Sequence, residues 1–129
     1  MFTFSREERL RHKRIIDRLF SEGRSFYMDP FQVVRLDGPF DSKYPVRILI
    51  SVPKRKVRKA VHRNLLKRRI REAYRLHKQG LYDVLLQHGG HCTLALVYTS
   101  GKIAGYKAIE EKIILILKRL EREYEKGDR

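Results

Sequence analysis

The chain has 129 residues, and its 30 Lys and Arg outnumber its 15 Asp and Glu, which gives a formal net charge of +15 at pH 7. Hydrophobic residues make up 42% of the sequence, enough for a buried core, and this argues against disorder throughout. Cys92 is the only cysteine, which excludes a disulfide scaffold. The sequence shows neither an apolar run of about 18 residues nor the pattern of a signal peptide. We therefore expect one cytoplasmic domain over residues 1–129, with a polyanionic partner.

The first predicted element is a helix over residues 11–20, whose apolar face consists of Ile15, Ile16, Leu19 and Phe20. Gly23 is a suitable residue to end this helix. Ser5 and Glu8 have the spacing of a capping box, which would start the helix earlier. Because Leu10 lies outside the apolar stripe, we favour the later start.

Two strands are predicted next along the chain. Residues 26–36 are largely apolar and aromatic but are interrupted at Asp29-Pro30, where proline removes a backbone hydrogen-bond donor. Residues 37–42 are typical of a turn. Residues 46–52 alternate so that one face carries Val46, Ile48, Ile50 and Val52, which predicts a strand buried mainly on that face.

A long basic helix is predicted from about residue 57 to residue 77. Its buried face would consist of residues at helical spacing, namely Leu66, Ile70, Ala73, Tyr74 and His77. A second face, which we call the polar ridge, carries Asn64, Arg68, Arg71 and Arg75. The mixture of an apolar stripe and a cationic one predicts a helix that packs on a core and presents charge to a partner.

A third strand over residues 92–98 and a last helix over about residues 106–125 complete the predicted elements. Strands separated by amphipathic helices favour an α+β fold, a single-domain sandwich in which helices pack on one small mixed sheet. The residues themselves give the order α-β-β-α-β-α.

The positive charge is concentrated in one stretch of the chain. Residues 53–78 contain twelve basic residues, from Lys54 to Lys78, and one acid, Glu72, so the stretch carries a net charge of +11. Like charges crowded on a helix repel one another and destabilise it unless a polyanion compensates. Arginine suits an RNA partner, because its planar fork binds phosphate with two hydrogen bonds and stacks on bases. The amide of Asn64 among these cations suits reading a base edge, fixing a loop or accepting from a hydrated metal ion.

Residues for catalysis or metal binding are sparse. His88, His91 and Cys92 are close in sequence, but no fourth zinc ligand accompanies them. Cys92 opens an apolar strand, which favours a core residue over a nucleophile. The sequence has no embedded acidic pair of the kind a protein-only metallonuclease uses, and its basic helix lacks the bulky apolar face of a membrane-surface helix. A structural RNA-binding protein of ribosomal type stays open, since composition does not distinguish it.

Residues 54–75 resemble the signature of the bacterial ribonuclease P protein subunit. The matching positions are Lys54-Arg55, Ala60-Val61-His62-Arg63-Asn64, Lys67-Arg68, Ile70-Arg71-Glu72 and Tyr74-Arg75. Upstream, the family's first helix and next strand are matched by Leu19-Phe20, Gly23-Arg24 and Phe31. The sequence departs from the family at Leu65, where a second arginine commonly follows the asparagine, and Lys59 or Arg69 is the candidate to replace that charge.

The resemblance implies a fold of order α-β-β-β-α-β-α, with a left-handed crossover through the basic helix. Parallel crossovers are right-handed in general, so this is the less expected hand. The resemblance also implies a monomeric subunit of a ribonucleoprotein endoribonuclease, whose catalytic centre, with Mg²⁺, lies in the RNA. The protein would supply no catalytic residue and hold no metal tightly. It would bind the catalytic RNA and the 5′ leader of precursor tRNA during 5′ maturation.

The family's contacts carry over to matching positions of this chain. Those expected to face the catalytic RNA are Lys54, Arg55, Lys56, Lys59, Arg63, Asn64, Lys67, Arg68, Arg71 and Arg75. The leader is expected in a cleft between the first helix and the sheet, against Ile16, Phe20, Phe31 and Val34. Ile16 and Val34 stand where some members have an aromatic ring, so base stacking would be weaker here.

Overall fold

The computed structural model describes residues 3–127, which form a four-stranded sheet with helices on both faces. The helices are α1 (Lys13–Glu22), α2 (Ala60–His77), α3 (Gln79–Gln87) and α4 (Tyr106–Glu125). The strands are β1 (Arg24–Met28), β2 (Phe31–Asp37), β3 (Val46–Ser51) and β4 (Cys92–Tyr98). One turn of 3-10 helix, Arg6–Glu8, precedes α1. The predicted α+β sandwich is confirmed.

The helices differ from the prediction in three respects. α1 lies two residues further along the chain than predicted, and the capping box of Ser5 closes the separate 3-10 turn. α2 begins at Ala60 because the N–H groups of Lys56 and Val57 both donate to the Pro53 carbonyl, in a turn that precedes the helix. The short helix α3 is absent from the prediction, since its apolar residues extend over little more than two helical turns.

The strand predicted over residues 26–36 is in fact two strands. β1 and β2 pair antiparallel around Asp29-Pro30, whose peptide bond is cis, so the proline marks a chain reversal rather than an interruption within one strand. The sheet order is β1-β2-β4-β3, in which β2 and β4 are antiparallel and β3 and β4 are parallel. Three strands before the basic helix are what the family resemblance implies.

The crossover from β3 to β4 is left-handed, as the stereochemistry of Cys92 shows. Its side chain lies in the core formed with α2, α3 and α4, and its N–H donates to Pro45 O beside β3, at 2.8 Å. When an L-residue is seen with its side chain toward the viewer and the chain running upward, its N–H and C=O point to the right. β3 therefore lies to the right of β4, so a chain that crosses in front from β3 to β4 moves left. The hand that the resemblance implies is confirmed, against the general preference.

Each face of the sheet has its own apolar core. On one face α2 buries Leu66, Ile70, Ala73 and Tyr74. The predicted stripe is confirmed except at His77, which is half-buried and lies 2.9 Å from a carboxylate oxygen of Glu110 in α4. On the other face, the fully buried Leu19 of α1 covers Val34 and Ala95. α1 is therefore the only α-helix of the described chain whose residues build this second core.

A buried ion pair ties the N-terminal segment to the end of α2. Glu8 and Lys78 are 0% and 3% exposed, and the Lys78 ammonium donates to the Glu8 carboxylate and to the Thr3 carbonyl. The same carboxylate accepts from the Tyr82 hydroxyl at 2.6 Å and from the Ser5 N–H at 2.9 Å. Burial alone raises the pKa of Glu8, but these hydrogen bonds outweigh it and hold the pKa below its ordinary value. Lys78, counted with the basic stretch, is a structural cation.

Replacing Glu8 with Gln is expected to lower the free energy of unfolding by about 3 kcal/mol, because the Lys78 ammonium then stays buried without a counter-charge. Glu7→Gln is the matched control, since it removes the same charge from an exposed neighbour. Urea unfolding followed by circular dichroism measures both variants. Equal losses in the two variants would contradict a structural role for the ion pair.

The stabilisation by Glu8 is expected to depend on pH. Its pKa is lower in the folded chain than in the unfolded chain, so its contribution is present above the ordinary Glu pKa of about 4.3 and is lost as the pH falls through the folded value. The stability gap between the unsubstituted protein and Glu8→Gln should therefore shrink between about pH 5 and about pH 3. A series of urea midpoints across that range tests this, and a constant gap would refute it.

Candidate nucleic-acid interface

The basic segment leaves the sheet at the end of β3. Val52 and Val57 are 4% and 3% exposed and anchor in the core the turn that connects β3 to α2. We call this connection the cationic turn, and its basic side chains are all exposed: Lys54, Arg55, Lys56, Arg58 and Lys59. Two buried valines thus hold a short loop in place while it presents five cations to solvent.

The polar ridge continues this cationic surface along α2. Asn64 and Arg68 are exposed, whereas Arg71 and Arg75 are half-buried. The opposite side of the helix carries the stripe buried against the sheet and α4. Val61 lies beside the ridge one turn earlier and is 68% exposed, so the surface also contains one apolar side chain. The ridge is therefore most accessible in the first half of α2, next to the cationic turn.

Arg63 holds the cationic turn against the helix. Its Nη1 donates to the carbonyl oxygens of Val57 and Arg58, at 3.0 and 2.6 Å. These carbonyls precede the helix and lie outside its regular hydrogen bonding. One nitrogen of the Arg63 guanidinium therefore fixes the end of the cationic turn against α2. Lys67, one helical turn further along, is half-buried.

Two further arginines of α2 contact protein groups. Arg69 donates through Nη1 to Ala104 O at 2.6 Å, in the loop before α4. This contact engages Arg69 with the protein, so of the two candidates to replace the charge missing at Leu65, only Lys59 is exposed. Arg75 Nε donates to Glu72 Oε1 at 3.1 Å, and this bond raises the pKa of Arg75. The ridge charge is thus partly neutralised at its C-terminal end.

The structure brings three of the four expected leader residues to one place. Phe20 is 45% exposed, Ile16 is half-buried on the same flank of α1, and Val34 forms the buried floor beneath the helix. Phe31 is not in this cleft. Its ring is fully buried on the opposite face of the sheet, edge-on to Tyr98 with 5.6 Å between centroids. The expectation for Phe31 is corrected, because side chains alternate along β2 and residues 31 and 34 point to opposite faces.

Three residues that line the open end of the cleft are absent from the prediction. In the strand register Gln32 lies opposite Val97, and Val97 lies opposite Ser51. All three are half-buried and share the face of Val34, from which Gln32 is two residues away. The alternation along β2 is the signal that would have identified Gln32, but the partners on β3 and β4 depend on the strand pairing.

The orientation of α1 places Phe20 at this same end. The helix runs across the strands from the free edge of β3 to β1. Its Arg18 lies near Arg47, at the other end of β3 from Ser51; the pKa of Arg47 is lowered by burial and then by repulsion from Arg18. Phe20 lies about 200° further around the helix from Arg18 and so faces the Ser51 end. The open end of the cleft and the cationic turn therefore lie at the same end of the strands, the end at which β3 finishes.

The described residues assemble no cluster of metal ligands. Within residues 3–127 no three His, Cys, Asp or Glu side chains are grouped so as to hold a metal ion, and no helix has the length and hydropathy that crossing a bilayer requires. Cys92 is fully buried, and burial raises the pKa of its thiol to about 12. The prediction that Cys92 is a core residue is confirmed.

Proteins whose sequences are similar to this chain share one name. The family model described as Ribonuclease P matches residues 4–121. A ribonuclease P protein component from Porphyromonas gingivalis is 38% identical over 110 residues, which cover 84% of this chain and 80% of the relative. One from Dictyoglomus thermophilum is 41% identical over 83 residues, which cover 64% of this chain and 66% of the relative.

Two solved structures with a similar fold carry the same name. The RNase P protein from Thermotoga maritima aligns with a TM-score of 0.69 at 26% identity, over 87% of this chain and 96% of that one. The RNase P protein from Staphylococcus aureus aligns with a TM-score of 0.70 at 23% identity, over 87% of this chain and 94% of that one, and shows the shared fold.

The affinity of this surface for RNA is expected to fall steeply with salt. If it contacts about six phosphates, the logarithm of the binding constant should fall with the logarithm of salt concentration with a slope of about −4 to −5. Arg68→Gln should reduce the steepness by about 0.7–0.9, whereas Arg122→Gln, on the exposed side of α4, should leave it unchanged. Filter binding across a salt series provides the measurement. A slope near about −1 would show that the basic helix does not bind the RNA.

Proposed function

The chain belongs to the ribonuclease P protein family, and on that basis we propose that it binds the enzyme's catalytic RNA through the cationic turn and the polar ridge. As a ribonuclease P protein component, it is a subunit of a ribonucleoprotein endoribonuclease that matures the 5′ end of tRNA. The observation that carries the proposal is the position of the charge. Five exposed cations lie on the turn, half-buried Lys67 and exposed Arg68 follow on the first half of α2, and the other side of that helix is buried.

RNA binding would offset the repulsion within this surface. The exposed cations of the turn have no carboxylate partner among the described residues, and the first half of α2 contains no acid. Phosphates brought close to these side chains replace repulsion by attraction and release counterions from the RNA. The surface is therefore stabilised by its partner, which is the behaviour expected of a subunit that works in a ribonucleoprotein.

Asn64 is proposed to provide the specific contact within this charged surface. It is exposed between Arg63, which holds the turn in place, and Arg68, which is free to meet a phosphate. An amide offers two donors and an acceptor in one plane, so it can pair with a base edge where an arginine would only bind acceptors. The arginines would position the RNA and the amide would read it.

The 5′ leader of precursor tRNA is proposed to occupy the cleft between α1 and the sheet. Phe20 offers a ring for base stacking, and Gln32 and Ser51 offer hydrogen-bonding groups on the floor. Ile16 is aliphatic, so one aromatic ring serves this cleft among the residues placed there, and stacking on such a ring contributes about 1–3 kcal/mol per base. Because the cleft and the cationic turn lie at the same end of the strands, single-stranded RNA can pass from one to the other.

Mg²⁺ is proposed to act where the RNA holds it. The ion prefers oxygen ligands in octahedral geometry, but the surface that would face the RNA is cationic, and its one acid, Glu72, is engaged by Arg75. These residues do not fit a metal site, whereas they fit a role in neutralising RNA around one.

We place the subunit in the cytoplasm, as one protein copy in each ribonucleoprotein.

The decisive experiment combines the purified protein, the RNA subunit and a 5′-labelled precursor tRNA, separately and together, at low Mg²⁺. The protein is expected to accelerate cleavage at the mature 5′ end only when the RNA subunit is present. Cleavage by the protein alone would replace the proposal with a metallonuclease. Failure to stimulate the RNA would favour a structural RNA-binding protein, the alternative that the family match does not favour.

Asn64→Ala is expected to lower kcat/KM for the precursor about tenfold, equivalent to about 1.4 kcal/mol, because a base contact is lost. Lys118→Ala on α4 is the control, since Lys118 is exposed and belongs to neither the cationic turn nor the polar ridge. Lys78 does not serve as a control because it is buried against Glu8. Single-turnover cleavage with saturating RNA subunit measures both variants, and equal effects would make Asn64 an ordinary surface residue.

A further inference from the structure

We propose that Arg9, Arg11 and Arg71 form a pocket that binds a phosphate group of RNA, an inference that rests on the proposed function. The cavity has a volume of about 190 Å³ and lies at the free edge of β3, where the N-terminal segment passes beside α2. Its other lining residues are Phe4, Leu10, Ile48, Leu49 and Ile50. Since a water molecule takes up about 30 Å³, the cavity has room for a phosphate with some of its hydration.

The three guanidinium groups of this pocket have no carboxylate partner among the described residues. Glu8 is adjacent to Arg9 in sequence, but its carboxylate is turned toward Lys78 and Tyr82. Burial lowers the pKa of Arg71, and repulsion by Arg9 lowers it further, as expected where like charges converge without a counterion. An anion in the cavity would remove this repulsion.

A second arginine-lined cavity shows what a compensated arrangement looks like. It lies between β1, β2 and α4 and is lined by Arg24, Arg35 and Arg119 together with Glu123. Glu123 Oε1 is 3.5 Å from Arg35 Nη1, and Glu123 Oε2 is 3.1 Å from Arg119 Nε. Asp37 Oδ2 is 3.9 Å from Arg24 Nη2. Carboxylates of the chain itself supply the counter-charge there. The Arg9 pocket is different because its lining contains no acid, so its counter-charge has to come from outside.

The pocket is held in shape before any ligand binds. The Leu10 N–H donates to Ile48 O at 2.8 Å, and Arg9 forms a parallel bridge with the same strand residue. One residue earlier, the buried ion pair of Glu8 and Lys78 fixes the segment to the end of α2. The Arg9 guanidinium lies over the Phe4 ring, 5.2 Å from its centroid. Because the backbone that carries Arg9 and Arg11 is fixed, binding a phosphate costs little ordering of the chain.

The position of Arg71 indicates that the phosphate belongs to RNA rather than to a separate small molecule. Arg71 is the third residue of the polar ridge, so an RNA strand that follows the ridge reaches the pocket there. Guanidinium groups bind phosphate oxygens through paired hydrogen bonds, and three of them can enclose one phosphate. The pocket would therefore fix the register of the RNA where the ridge becomes half-buried.

The test is the double variant Arg9→Gln/Arg11→Gln of the full chain, measured against the control Lys118→Gln/Arg122→Gln, which removes two exposed charges from α4. One arm measures affinity for the RNA subunit, and the other measures affinity of the assembled enzyme for precursor tRNA. We expect about a tenfold loss in one arm with a salt slope less steep by about 0.7–0.9, and less than about a twofold change in the control. The arm that shows the loss identifies which RNA supplies the phosphate.

A direct readout uses inorganic pyrophosphate as the probe and the NMR signal of the Arg71 side-chain N–H as the reporter. The signal should shift saturably in the unsubstituted protein and stay unchanged in the double variant, while thermal unfolding of the two proteins coincides. The proposal is overturned if the double variant matches the control in both RNA arms, including the case in which pyrophosphate still binds. Failure of the unsubstituted protein to stimulate cleavage would instead refute the proposed function, so the two failures are distinguishable.

Discussion

The structure has to hold many like charges on one short stretch of chain while the free protein stays folded. Residues 53–78 carry a net charge of +11, and α2 contains most of that stretch. The apolar stripe of Leu66, Ile70 and Tyr74 makes this possible, because it buries one side of the helix completely against the sheet and α4. Burial of such side chains contributes about 1.5–3 kcal/mol each, which outweighs repulsion between solvated cations. The charged side of the helix is therefore free to be selected for binding.

The fold divides these cations into two groups. Some are used inside the protein: Lys78 neutralises a buried carboxylate, Arg69 donates to the loop before α4, and Arg63 holds the cationic turn. The exposed ones are the five cations of the turn and Arg68 in the first half of α2, where no acid accompanies them. Charge counted along the sequence thus overstates the charge offered to RNA, because Glu8 neutralises Lys78 and protein carbonyls hold the guanidinium groups of Arg63 and Arg69. RNA binding depends on the exposed cations that no carboxylate of the protein neutralises, and on where they lie.

Chain topology brings the binding features together. β3 and β4 are parallel neighbours, so the chain leaves β3 at one end of the sheet and must return through helices before it enters β4. The cationic turn therefore follows directly after β3, at the end of the sheet where Ser51, Val97 and Gln32 line the open end of the cleft beneath α1. On the free side of β3, the N-terminal segment adds Arg9 and Arg11 beside Arg71. The cationic turn that leads into the ridge, the cleft and the phosphate pocket therefore all lie next to β3.

The class of partner, the α+β architecture and the buried face of α2 follow from the residue pattern, because apolar periodicity and charge clustering are local properties of the chain. Its motif also identified the family, whose known topology supplied the left-handed crossover. Which of these residues are accessible to RNA depends on how the chain folds. Phe31 was expected in the cleft but is buried on the opposite face, and Lys78 was counted as surface charge but pairs with Glu8, 70 residues away. The physical reason is that strand pairing sets the face to which a side chain points, and buried ion pairs join distant residues, so neither can be read from local spacing.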